Sequence, residues 1–141
     1  MPYKIMRQAD YITVEVEAIT IESLFALCCH AWRDTLVECE DFSSTDLEQL
    51  FYQAGTYEEL LAQLLNDLNC LLIEHQWIFN SVEKIILVED ENCLKINIDI
   101  LGSQVQPEEL HFKERIAKIS PQQINIDLSD INMCAKINFE V

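Results

Sequence analysis

Glycine and proline, which interrupt helices and strands, are scarce in this sequence, and so are basic residues. Its 141 residues include only 2 glycines and 3 prolines, and 50% are hydrophobic, which excludes a disordered or low-complexity chain. Lys and Arg together number 9 against 25 Asp and Glu, so the formal net charge is −16. Strong direct binding to nucleic acid is excluded, because basic side chains must neutralise the phosphates. The negative charge suits a basic protein partner or cations, or serves only to keep the chain soluble.

Long apolar runs are also missing. No segment approaches the roughly 18 to 20 consecutive apolar residues that span a bilayer. The first ten residues, MPYKIMRQAD, lack the apolar core and the cleavage site of a secretory signal. We therefore expect a cytoplasmic protein without membrane association, folded as one domain over residues 1–141. The oligomeric state stays open.

The cysteines lack the spacing of a metal site or of a disulfide framework. There is no C-x-x-C pair, and the adjacent Cys28 and Cys29 would point in different directions on a helix. Cys28 and Cys70 are predicted on the apolar faces of their helices, where a thiol acts as a small hydrophobic group. The pattern predicts reduced, mostly structural cysteines at Cys28, Cys29, Cys39, Cys70, Cys93 and Cys134.

Catalytic motifs are absent, so we do not expect an enzyme. The chain has no Gly-rich phosphate loop, no G-x-S-x-G elbow and no H-E-x-x-H pair. Two acidic clusters, within 38–41 and 89–91, are interpreted as solvated turns, with a weak calcium site as the alternative for each. The histidines lack ligand spacing and are interpreted as ordinary side chains: His30, His75 and His111.

The periodicity of apolar residues predicts two helices. Thr20 is a plausible cap for the first helix. Thr56 caps the second, and Glu59, three residues on, completes a capping box. Leucines then recur at helical spacing and predict one wide buried face made of Leu60, Leu61, Leu64, Leu65, Leu68, Leu71 and Leu72.

The rest of the chain is predicted to consist of strands and turns. Apolar residues alternate over Tyr11 to Ala18, which is typical of a half-buried strand. LEQLFYQAG (47–55) is ambiguous between a strand and a short helix, ECEDFSSTD (38–46) is a predicted loop, and PEEL (107–110) a predicted helical turn. Further strands are predicted over Val82 to Val88, Cys93 to Leu101, Phe112 to Ile119, Gln123 to Leu128 and Met133 to Val141. The fold class is α+β, with two main helices on a largely antiparallel sheet.

One segment narrows the range of possible functions further. Between Thr56 and Glu83 the chain reads ELL-x-x-LLN-D-L, followed by a short link and the Trp77-x-Phe79 pair. This segment resembles the archease family, whose members are small acidic proteins. The resemblance extends over nearly the whole chain, to Gln8-Ala9-Asp10, to TIESLFALCCHAW (20–32) and to the terminal INFEV (137–141). It implies a single archease-like domain with the first and last strands adjacent, and a strand at LEQLFYQAG.

The resemblance also implies a non-enzymatic function and a site. Archeases activate an RtcB-type RNA ligase, which joins a 2′,3′-cyclic phosphate or 3′-phosphate RNA end to a 5′-hydroxyl end in tRNA splicing and RNA repair. They promote guanylylation of the ligase and its multiple turnover. Carried over by motif, Asp10, Glu140 and the carboxylate of Val141 would bind a divalent cation, calcium or magnesium. Lys118 would contact phosphate.

Two motifs differ from the family pattern and support an alternative. Arg7-Gln8 stands where the family has His-Thr. The family also has a Lys-Ala-Val-Thr-Tyr-His strand, whose nearest counterpart here begins at Ala117. The lysine, Lys118, is therefore one residue later than in the family, which in a strand would turn it to the opposite face unless a bulge restores it. The alternative is a diverged archease paralogue that acts as a protein-binding module without activating a ligase.

Overall fold

The computed structural model of the chain describes residues 3–38, 46–106, 108 and 111–141. The two α-helices are α1 (Ile21–Leu36) and α2 (Tyr57–His75), and a 3-10 helix spans Pro121–Gln123. The strands, in chain order, are β1 (Tyr3–Arg7), β2 (Tyr11–Ala18), β3 (Val37–Glu38), β4 (Asp46–Ala54), β5 (Trp77–Asp90), β6 (Cys93–Gln104), β7 (His111–Phe112), β8 (Ile124–Asp127) and β9 (Met133–Glu140). Among these described residues, no helix is both long and apolar enough to cross a bilayer.

The strands form antiparallel sheets that pack against the two helices. One sheet has the order β1-β2-β9-β8, a second has the order β4-β6-β5, and β3 pairs with β7. Helix α1 packs mainly on β2 and β5, whereas α2 packs on β4, β5, β6 and β8. The predicted α+β fold is therefore confirmed. The predicted strand Tyr11 to Ala18 is β2, and it lies beside the last strand, β9, as expected. β1, which pairs with the other edge of β2, was not predicted.

The apolar stripe of α2 forms the centre of the core. Six of the seven predicted leucines are at most 1% exposed, whereas Leu71 is only partly buried. Helix α1 contributes Leu24, Phe25 and Trp32 to the same core cluster, each 0% exposed. Burying each large side chain of this kind contributes about 1.5–3 kcal/mol relative to leaving it exposed.

The start of α2 follows the predicted cap with one difference. The Thr56 hydroxyl accepts a hydrogen bond from the Glu59 main-chain N–H at 3.1 Å. The Glu59 carboxylate reaches back to the N–H of Gly55 at 3.4 Å, one residue before the partner that a capping box requires. Thr20 caps α1 in the same way, accepting from the Ser23 N–H at 3.1 Å.

Replacing Thr56 by alanine is expected to lower the free energy of unfolding by about 1 kcal/mol, because an N–H in the first turn of α2 loses its acceptor. Thr56→Ser keeps the hydroxyl and should stay close to the wild type. Urea unfolding followed by circular dichroism measures both variants. Equal stability of the two would show that the cap contributes nothing.

Strands β5 and β6 are longer than predicted. β5 begins at Trp77 and contains register shifts between Phe79 and Ser81 and between Val82 and Lys84. Such bulges reset the alternation of faces, which hides the first half of the strand from a search for period-two patterns. β6 continues to Gln104, three residues beyond the predicted end at Leu101, and so includes Gly102.

The predicted strand Phe112 to Ile119 is wrong. Only His111–Phe112 is a strand, and residues 113–120, which we name the 113–120 segment, have no regular structure. Ile116 and Ile119 are its buried residues, 7% and 1% exposed, and their spacing of three does not fit a strand. The predicted strands at 123–128 and 133–141 correspond to β8 and β9. Residues 39–45 of the predicted loop, and 107, 109 and 110 of the predicted helical turn, lie outside the described residues.

Candidate functional site

The first sheet holds Asp10 in a tight turn. β1 and β2 form a hairpin in which Arg7 pairs with Ile12, and the Gln8 N–H donates to the Tyr11 carbonyl oxygen at 2.9 Å. Asp10 lies inside this turn and is exposed. The unpredicted strand β1 is therefore what fixes the position of the predicted aspartate.

The end of β9 lies beside this turn. Tyr11 pairs with Glu140 in the β2–β9 register, and the Val141 N–H donates to the main-chain oxygen of Asp10 at 3.3 Å. Inward-facing neighbours such as Ile12 and Phe139 are buried, whereas Asp10, Glu140 and Val141 are exposed. The main chain thus brings all three predicted cation-binding residues to one end of the β2–β9 pair. The side-chain carboxylates of Asp10 and Glu140 are hard oxygen donors, which calcium and magnesium prefer.

The 113–120 segment borders the same end of β9. The Ala117 N–H donates to the Glu140 carbonyl oxygen at 3.1 Å. The Arg7 guanidinium forms an ion pair with Glu114 at 2.8 Å. Arg7 therefore connects the β1–β2 hairpin to this segment.

Two asparagines of α2 attach the 113–120 segment to the helix. The Asn66 side chain donates to the Ile119 carbonyl oxygen at 2.7 Å and accepts from the Ile119 N–H at 2.8 Å. Asn69 donates to the Ile116 carbonyl oxygen at 3.4 Å. We did not predict this role. The sequence did contain a signal, which was two asparagines next to the leucine stripe of α2. Such side chains are partly buried and normally have hydrogen-bond partners in another segment.

Lys118 lies in a groove between this segment and α2. The groove has a volume of about 540 Å³, and Lys118 lines it together with Asn66, Cys70, Glu74 and Arg115. Within the part of the chain that the structure describes, Lys118 forms no ion pair. Because the segment is irregular, the strand alternation that would turn Lys118 away from the site does not apply. The neighbouring residue, Ala117, is the one bonded to Glu140.

The remaining candidate residues are scattered. His30 packs edge-on against Phe79, with ring centroids 5.2 Å apart, and burial lowers its pKa, with a smaller contribution from the charge of Arg33. In the 89–91 cluster, Asp90 forms an ion pair with Lys95 at 3.2 Å. The other acidic cluster lies mostly outside the described residues.

Cys70 is not on the apolar face of α2, contrary to our prediction. Its side chain is exposed, and the thiol donates to the Glu74 carboxylate at 3.1 Å. That hydrogen bond raises the pKa of the Cys70 thiol. Cys28 is fully buried as predicted, and burial raises its thiol pKa well above the usual range. The five described cysteines are free thiols.

Two solved structures share this fold. Protein 1598 of Methanobacterium thermoautotrophicum, a solution structure, has a TM-score of 0.73 at 14% identity and covers 99% of both chains. A crystal structure from Thermotoga maritima, described as an archease and possible chaperone, has a TM-score of 0.59 at 14% identity, covering 96% of this chain and 98% of that one. At these identities the likeness shows the fold alone. The chain has no significant match among curated proteins.

The family comparison extends over almost the entire sequence. The model of the Archease protein family (MTH1598/TM1083) matches residues 4–141. This range includes the hairpin with Asp10, both helices, the 113–120 segment and the last strand. The chain therefore belongs to the archease protein family.

Proposed function

We propose that this protein is an accessory factor that activates an RtcB-type RNA ligase, by promoting guanylylation of the ligase and its turnover in tRNA splicing and RNA repair. Family membership supports a role of this class. The description of the Thermotoga protein as a possible chaperone is consistent with action on a protein partner. In this proposal the chain carries out no reaction itself.

The observation that carries the proposal is the junction of the β1–β2 turn with the end of β9. The hydrogen bond from the Val141 N–H to Asp10 and the pairing of Tyr11 with Glu140 bring the main chain of Asp10, Glu140 and Val141 together. We propose that Asp10, Glu140 and the Val141 carboxylate bind a divalent cation, calcium or magnesium. Waters would complete the six to eight oxygens that calcium takes.

Charge supports the choice of partner. With 25 acidic against 9 basic residues, the protein should be attracted to the basic surface that an RNA ligase needs for binding phosphates. Lys118, exposed in its groove, is the proposed contact to a phosphate of the ligase-bound nucleotide or RNA. The 113–120 segment would orient it, through Asn66 on one side and Ala117 on the other.

The alternative is a diverged paralogue that binds another protein without activating a ligase. The observation that favours it is Arg7, which differs from the family motif and is engaged in an ion pair with Glu114. Such a module should tolerate changes at Asp10, because the cation site would have no role.

Asp10→Ala is expected to abolish the activation of the cognate ligase. Ligase auto-guanylylation with radiolabelled GTP measures the activation, with the ligase alone as the baseline. We expect wild-type protein to accelerate labelling and Asp10→Ala to leave the rate at the baseline, because the cation site loses one of its three carboxylates. Extending the chain by two glycines beyond Val141 should have the same effect, since the carboxylate moves away from Asp10.

Asp130→Ala is the matched control. Asp130 is also exposed, in the bend before β9 and thus at the opposite end of that strand from Glu140. The Asp130→Ala substitution removes the same charge as Asp10→Ala, and the variant should activate the ligase like the wild type. No acceleration by the folded wild-type protein would overturn the proposed function, and equal activity of Asp10→Ala would overturn the proposed site.

A further inference from the structure

Three side chains of the types that can bind a metal ion meet at the carboxyl end of α2. The ligand atoms of Cys70, Glu74 and His75 all lie within 4.8 Å of one another, and all three side chains are exposed. Cys70 and Glu74 are four residues apart and therefore neighbours on the helix surface; the thiol already donates to the carboxylate at 3.1 Å. His75 is the last residue of the helix.

We propose that Cys70, Glu74 and His75 form a binding site for a thiophilic divalent ion, with zinc as the natural choice. Thiolate, imidazole and carboxylate are the ligands that zinc takes, at about 2.0–2.3 Å from the metal. A tetrahedral ion with these bond lengths holds its ligands about 3.3 to 3.6 Å apart, so small side-chain rotations complete the site. The bound metal ion replaces the thiol proton that Cys70 donates to Glu74, and that proton is released to the solvent.

The main chain that carries the site is fixed. Gln76 takes a left-handed conformation, with φ 51°, and its N–H caps the helix by donating to the Leu71 carbonyl oxygen. The Gln104 side-chain amide donates to the main-chain oxygen of His75. The carboxyl end of a helix also carries partial negative charge, which favours a bound cation.

The three exposed ligands leave the fourth position of a tetrahedral ion open. Water would fill this position in the free protein, as in zinc sites with three protein ligands. The site is chemically distinct from the carboxylates around Asp10, since sulfur and imidazole nitrogen favour zinc over calcium or magnesium. The inference therefore does not depend on the proposed function, and either can fail alone.

Titration with Co²⁺ and Zn²⁺ tests the site in the full-length protein. A thiolate–cobalt bond gives a charge-transfer band in the near ultraviolet, and tetrahedral cobalt gives intense visible bands. We expect both bands to saturate at one Co²⁺ per chain and to disappear when Zn²⁺ is added. Asp10→Ala should keep the bands, which separates this site from the carboxylate site.

Cys70→Ser should lose the charge-transfer band, and His75→Gln should weaken Zn²⁺ binding at least about tenfold, since even groups that only hydrogen-bond a metal ligand typically matter 10- to 100-fold. Cys93→Ser, which removes another partly exposed free thiol, is the matched control and should bind like the wild type. Thermal unfolding checks that each variant is folded. The proposal is overturned by the absence of a charge-transfer band in wild-type protein, or by its persistence in Cys70→Ser.

Discussion

Replacing Gly102 by alanine is expected to destabilise the protein by about 3 kcal/mol, at the upper end of the range for overpacked cores. A Cβ at this position would lie 2.5 Å and 2.6 Å from two ring carbons of Trp77, and closer still to the main-chain oxygen of Ile78. Trp77 is only 5% exposed, so its ring has little room to move. The Ile78 carbonyl belongs to strand β5, which pairs with β6 here, and moving it would disturb the sheet.

Gly55→Ala is the matched control for this prediction. Neither glycine has a positive φ, so the two substitutions differ in space and not in backbone strain. At Gly55 an added Cβ meets nothing within 4 Å, and reduced freedom of the unfolded chain should leave stability unchanged or raise it by up to about 1 kcal/mol. Urea unfolding measures both variants. A small loss for Gly102→Ala, comparable to the change for Gly55→Ala, would show that Trp77 and β5 adapt.

The helices could be predicted from the sequence because their signals are local. A capping threonine and leucines at a spacing of three and four act within one segment. The Cys70–Glu74 pair could have been found in the same way, from its spacing of four, but Cys70 was assigned to the wrong face. His75 is harder to find, because it lies five residues from Cys70, a spacing that does not make two side chains neighbours on a helix.

The strands were harder to predict from the sequence, because the strands they pair with are distant along the chain. β1 is a short edge strand whose alternation covers five residues, too few to stand out. In the 113–120 segment the main-chain groups of Ile116 and Ile119 bond to asparagine side chains of α2. No periodicity within the segment can reveal a partner about fifty residues away.

The candidate cation site was predicted only through the family resemblance. Asp10 and Glu140 are 130 positions apart, and exposed acidic residues are abundant in this chain. The structure adds the elements that join them: the hairpin turn, the β2–β9 register and the hydrogen bond from Val141. It also adds Asn66, which no carboxylate or histidine search could have selected.

Asn66→Ala is expected to lower the free energy of unfolding by about 2–4 kcal/mol. The substitution leaves both the N–H and the carbonyl oxygen of Ile119 without their partner. Ile119 is 1% exposed, so water cannot easily replace the lost bonds, and each unsatisfied main-chain group costs about 1–3 kcal/mol. At roughly 4 °C per kcal/mol for a chain of this size, the Tm should fall by about 8–16 °C.

Amide hydrogen exchange locates the effect of Asn66→Ala. If the asparagine attaches the 113–120 segment to α2, protection of the Ile119 and Ala117 amides should fall further than that of the core strands, because the segment opens locally before the whole protein unfolds. Asn69→Ala is the matched control: it removes one longer hydrogen bond to Ile116, and should cost about 1 kcal/mol, the lower end of the range for one unsatisfied group. Equal losses in the two variants would contradict the specific role of Asn66. Unchanged protection at Ile119 would show that the segment is held by its buried isoleucines alone.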